Sequence, residues 1–269
     1  MLISAKEIIK QSVDVYKANF ELFLRYMLVL FIPAGIVGIT TSIFGSSLQA
    51  INFYGFSLAT IIYFLIIIAG SIFSIWISLS FIRVLVKRLT NKETEPVRTE
   101  LQKAVKLIVP AFIVSILTTL AIFVGFALFI IPGIIAAVWF AFAMYSVALE
   151  DSKGTEAMLH SKELVRGRWS AVLWRLLAPT VVFAVILIFL QWLVSWPFEM
   201  IMGLVNPTSS IALTLYVAFM SLVGVIVSLL VTPLNTLAPT ILYLELKKTP
   251  VKMEHPEPHE DTPEEPPVM

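Results

Sequence analysis

The chain has 269 residues, of which 58% are hydrophobic and 14% charged, with a formal net charge of +1. Soluble domains are about half apolar and about a quarter charged, so this composition excludes water as the main solvent and offers no basic excess for a nucleic-acid partner. No cysteine is present, which excludes disulfides, thiolate metal sites and cysteine nucleophiles.

Residues 3–20 read as an amphipathic helix. Ser4 followed by Glu7 has the spacing of a capping box. Ile8, Ile9, Ser12, Val13, Tyr16 and Phe20 share one face, and the other face is charged. Such a helix either lies in the headgroup layer or packs on the inner face of a bundle. Lys6, Lys10 and Lys17 are mixed with Glu7 and Asp14, which is not the order of a cleavable signal peptide, so the first span is expected to stay as an anchor.

Six apolar stretches follow. A bilayer core of about 30 Å needs about 20 apolar residues in a helix. The spans predicted are 26–45, 56–82, 107–130, 133–149, 171–195 and 210–243. Pro132-Gly133 leaves room only for a tight turn between the third and fourth. Pro233 and Pro239 interrupt the last, where a kink packed against neighbours is expected. The fold class expected is all-α and polytopic: six transmembrane helices as three hairpins, each preceded by an amphipathic cytoplasmic helix.

Charge sets the orientation. Segments 1–25, 83–106 and 150–175 and the tail hold all nineteen Lys and Arg. The opposite loops, 46–55, 131–132 and 196–209, hold none. The positive-inside rule therefore predicts a multi-pass protein of the cell membrane with both termini cytoplasmic. Trp192, Trp196 and Tyr54 at the outer ends, with Trp169 and Trp174 at an inner end, fit interfacial belts. Residues 1–247 form the expected membrane domain. The Pro-rich acidic tail, 248–269, is expected to be disordered, and His255 and His259 within it lack a scaffold for a metal.

Ile8–Phe20 lies over Ala157–Trp169 without a gap, with Ser12 on Ser161, Lys17 on Arg166 and Phe20 on Trp169. Val97, Leu101, Ala104, Val105 and Ile108 give a weaker third stripe before the third span. Three units of one orientation would relate by an axis along the membrane normal. Any helix leading into a membrane shares part of this pattern.

The stretch FIIPGIIAAVWFAFAMYSVALEDSKGTEAMLHSKELVRGRW carries Pro132, Gly133, the acidic step Glu150-Asp151, and Arg166-Gly167-Arg168-Trp169. On these residues the chain resembles the membrane-domain family named for bacterial glycerophosphoryl diester phosphodiesterases, and related six-span proteins of bacteria and archaea. The resemblance implies a membrane module that in some relatives precedes a soluble catalytic barrel. About 22 residues follow the last span, too few for such a barrel. The motif residues are therefore read as structural.

Catalysis at membrane depth needs ionisable groups held there, and the spans offer almost none. Gln191 and Asn235 are amides suited to bonding between helices. Glu199 reads as an interfacial carboxylate, and His160, between Glu156 and Glu163, as part of a solvated helix face. No cofactor or metal site is expected. The partners expected are the lipid bilayer, anionic lipid headgroups at the basic face, and a membrane or cytoplasmic protein. The function expected is that of a non-enzymatic scaffold or a module that organises partners or lipids. The alternative is a transporter or lipid-translocating protein for an apolar or amphipathic substrate.

Overall fold

The computed structural model of the chain describes residues 2–49, 58–205 and 210–250. The expectations for Tyr54, for most of the 46–55 and 206–209 loop stretches and for the tail beyond residue 250 lie outside the described residues. Among those described, every regular element is helical. Six stretches are long and apolar enough to cross a membrane: Phe20–Thr41, Thr60–Leu89, Val97–Leu128, Ile130–Glu150, Trp169–Gly203 and Leu213–Lys248.

Helix α1 (Ala5–Ala18) begins at Ser4, whose Oγ accepts from the Glu7 amide at 3.2 Å. The Glu7 carboxylate accepts from Gln11 Nε2. Ile8 and Ser12 are fully buried, and the helix packs on the last two helices of the chain. Asn19 alone separates it from α2 (Phe20–Gln49), and α3 (Leu58–Leu89) follows. Tyr26 and Ser80 share a buried hydrogen bond between them at 3.0 Å.

Helix α4 (Val97–Ala104) and a 3-10 turn (Val105–Leu107) lead into α5 (Ile108–Leu128). The buried face here is Glu100, Ala104 and Leu107, while Val105 is 50% exposed. Of the expected stripe, Val97 and Leu101 pack on the core and Ala104 is buried, and only Val105 departs from it. Beside Val97 and Leu101 the helix also turns a carboxylate, Glu100, toward α3, where Arg83 and Lys87 meet it.

The turn between the third and fourth spans also differs. Phe129 is the single extended residue, and α6 (Ile130–Trp139) already contains Pro132 and Gly133. Proline lacks an N–H and fits the first helical turn, where that donor would be free. Pro132 therefore marks the start of the next helix rather than the turn itself. A Cβ on Gly125 would lie 2.9 Å from Gly133 Cα, so these two glycines let the arms of the hairpin touch.

The fourth span is not continuous. It breaks at residues 140–142 and resumes as α7 (Ala143–Glu150). Helix α8 (Gly154–Val165) precedes α9 (Trp169–Val205), which runs on through Pro197, so the residues from 196 to 205 are helix and not loop. Helix α10 (Ser210–Lys248) continues as helix past Pro233 and Pro239, so the expected interruption is not a break. Thr232, Thr236 and Thr240 each donate to the carbonyl one turn earlier.

At 30, 32, 37 and 39 residues, α2, α3, α9 and α10 exceed the length a hydrocarbon core requires. Their fully buried residues gather at the charged end. They include Phe23, Ile77, Leu79, Leu85, Leu237, Leu242 and Leu246. Toward the other end apolar side chains face outward, as at Leu58 (73% exposed) and Ile188 (67%). Lipid tails are as apolar as leucine, so burial alone does not pull helices together in a bilayer. Tight packing sits where polar contacts and small residues supply a reason.

Candidate functional site at the charged end of the bundle

Two ionic clusters lie at the charged end, one around the buried Glu100 and one around the partly buried Glu150. The first joins α3 to α4. Glu100 is fully buried, with Lys87 in contact and Arg83 Nε at 3.6 Å. Arg83 also donates to the Ala148 carbonyl at 3.1 Å, which ties in α7. Trp76 Nε1 donates to the Leu101 carbonyl at 2.7 Å. Glu95, on the approach to α4, accepts from Lys103 at 2.6 Å, and that bond holds its carboxyl below the usual carboxylate range.

The second cluster centres on Glu150. Its Oε1 accepts from Tyr243 Oη at 2.7 Å and Lys247 Nζ at 2.8 Å, both on α10. Its Oε2 lies 2.8 Å from His160 Nδ1 on α8. The His160 ring is thus a bridge between helices rather than part of a free solvated face. Tyr145 stacks on Tyr243 at 5.4 Å, and Phe142 closes the group at 5.9 Å. Each carboxylate faces basic groups that neutralise it, which is what a buried charge requires.

Ser161 holds the broken span together. Its hydroxyl accepts from the Phe142 amide at 3.0 Å and donates to the Trp139 carbonyl at 2.7 Å. It takes the place of backbone bonds that the break opens, and Lys162 lies over the Trp139 ring at 4.4 Å. Backbone groups freed in a membrane helix need such partners.

The remaining motif residues form the link between α8 and α9. Arg166 caps α8, and Gly167 takes φ +75°, the left-handed conformation that glycine adopts without strain. Arg168 donates to the carbonyls of Leu246 at 3.0 Å and Thr249 at 2.6 Å, closing the end of α10. Trp169 opens α9. Arg175, in the next turns, donates to the Ile3 carbonyl at 2.5 Å and so holds the start of the chain. Pro132 and Gly133 sit at the far end of their hairpin and do not join this group.

Among the other polar residues, the Gln191 carboxamide lies against Gly224, where a Cβ would sit 3.5 Å from its Nε2. Asn235 and Glu199 are exposed. Among the described residues no group of three or more His, Asp or Glu gathers as a metal cage. Two hollows lie along the α2–α3 pair. One, of about 310 Å³, is apolar and lined by Ile32, Pro33, Ile36, Ile66, Ala69, Gly70 and Phe73. The other, of about 340 Å³, is polar and lined by residues including Asn19, Glu21, Arg25 and Arg88.

Sequence reading did not find Glu100 or Ser161. The signal for Glu100 was available: an acid in an otherwise apolar register, with Arg83 and Lys87 on the preceding helix. Ser161 had only its match to Ser12 in the repeat.

Six apolar helices of this length define a multi-pass membrane protein. Residues 98–268 match the family described as the membrane domain of glycerophosphoryl diester phosphodiesterase, and the chain belongs to that family. The match covers α4 onward and is to the membrane domain, not the catalytic domain. No curated protein and no solved structure matches the chain.

Proposed function

We propose that the chain is a non-enzymatic membrane module that organises lipids or partner proteins, held in the cell membrane with both termini cytoplasmic. The observation that carries this reading is how the buried acids are used. Glu100 and Glu150 are paired to cations on neighbouring helices, so they bind the bundle together and do not face a reactant. The hollows lie instead along α2 and α3, and neither Glu100 nor Glu150 lines them. In this reading residues 1–247 act as one domain with the acidic tail as an appendage. The clustering of every Lys and Arg at four segments supports the orientation.

A second reading is lipid translocation. The apolar groove at Pro33 and Gly70 favours it, because an acyl chain needs no buried charge to move along such a surface. The two separate in vesicles carrying a fluorescent phospholipid in both leaflets, with dithionite added outside. A lipid-organising module leaves the inner-leaflet signal at the level of protein-free vesicles. Loss of that signal at a rate proportional to protein overturns the first reading in favour of the second.

A further inference from the structure

We infer that the α2–α3 seam holds one anionic phospholipid in the leaflet at the charged end, its phosphate between Arg25 and Arg88 and an acyl chain in the apolar groove. This rests on the lipid-organising reading and gives it a location.

The two hollows lie at either end of one exposed face of α2. Arg25, Leu28, Ile32 and Ile36 follow at helical spacing on a single face of α2, and the three apolar members are 60%, 59% and 53% exposed. Arg25 to Ile36 is a rise of about 16 Å, and half a hydrocarbon core is about 15 Å. On α3 the face between Arg88 and the groove is closed by the buried Ile77, Phe81, Val84 and Leu85, so the exposed path between the hollows runs along α2. Measured along α2, the polar hollow and the apolar groove are therefore separated by about one leaflet depth.

The charge favours a phosphate. The Arg88 side chain makes no hydrogen bond or ion pair among the described residues. Arg25 pairs only with Glu21 on its own helix, at 2.7 Å, with both side chains largely exposed at 65% and 81%. Such an exposed pair is weak and yields to a competing anion. Two guanidiniums from different helices can take up the oxygens of one phosphodiester, whose geometry suits the planar fork. The small side chain of Ala69 leaves the groove open, while Val37 packs into the space at Gly70. A zwitterionic headgroup brings a cation toward both arginines, so the seam selects a net negative lipid.

The test is native mass spectrometry of the full chain in detergent, with phosphatidylglycerol or phosphatidylcholine added. Wild type is expected to keep one phosphatidylglycerol in preference to phosphatidylcholine. Arg25→Ala and Arg88→Ala each weaken retention about fivefold, the effect of removing one basic residue near an anionic lipid. Ala69→Phe fills the groove and also weakens it. Arg98→Ala, on exposed α4, leaves it unchanged. All four side chains are exposed, so a folded variant is expected in each case, checked by its unfolding temperature. Retention in Arg25→Ala and Arg88→Ala equal to wild type overturns this site while leaving the lipid-organising reading intact. Wild type with no preference for phosphatidylglycerol overturns both. Displacement of the lipid by inorganic phosphate at matched concentration shows that the arginines read phosphate alone and overturns the groove half of the proposal.

Discussion

Ser161 shows how much one hydroxyl can do in a span that breaks. It answers the Phe142 amide and the Trp139 carbonyl together, from 19 and 22 residues away in the chain. Ser161→Ala leaves both without that partner, at a cost of about 1–3 kcal/mol for a buried unsatisfied group. The expected result is a lower unfolding temperature in detergent, with the helical content unchanged. Glu100 is a larger stake. Glu100→Gln removes the charge that Arg83 and Lys87 face, and breaking a buried pair from one side costs about 3–5 kcal/mol. The same unfolding measurement should place this variant well below Ser161→Ala. A Glu100→Gln protein as stable as wild type would show that the pair does not hold α4 to α3.

At the scale of elements, the α5–α6 hairpin turns on a single extended residue, and the Phe129 amide still bonds the Gly125 carbonyl at 3.1 Å. Gly125 faces the Gly133 backbone, which cannot give way, so Gly125→Ala overpacks the hairpin and costs about 1–3 kcal/mol. Increased protease cleavage near the α5–α6 turn in detergent, relative to wild type, is the expected sign. The six apolar stretches were legible from length and hydropathy alone, because a bilayer imposes about 20 residues on any crossing helix. The finer breaks were not. Pro132 and Gly133 lay within a few residues of the turn, but proline is most at home inside a first helical turn, so the break fell at Phe129. Nothing within 133–149 announced the break at 140–142, since its partner sits on another helix. Pro197 read as a loop residue, yet α9 passes through it. A long apolar helix can lose one backbone bond and still continue. Of the site, the motif residues were readable as a set. Their roles, with Arg168 closing α10 and Glu150 gathering α8 and α10, depend on contacts across the bundle.

At the scale of the whole molecule, α1 packs on α9 and α10, α4 packs on α3, and α8 packs on α5, α6 and α7. Thus α1 and α8 each sit on apolar helices of another unit, while α4 sits on α3. Of the pairs aligned in the sequence repeat, Ile8 with Ala157 and Ser12 with Ser161 are fully buried, whereas Phe20 and Trp169 are exposed. Arg175 and Arg168 then tie the start of the chain and the end of α10 to the α8–α9 region. The proposed orientation is open to a direct check because the chain has no cysteine of its own. With Asn52→Cys, an impermeant maleimide should label intact cells. With Lys153→Cys it should label only after permeabilisation. The reverse pattern would invert the molecule. The central claim, that this membrane module gathers lipid or a partner around itself, is tested most directly by its surroundings. The chain would be extracted from its native membrane in polymer-bounded discs, and the lipids and proteins of those discs compared with the bulk membrane. The account predicts enrichment of anionic phospholipid or a stoichiometric protein partner. Discs with the bulk lipid composition and no partner would contradict it.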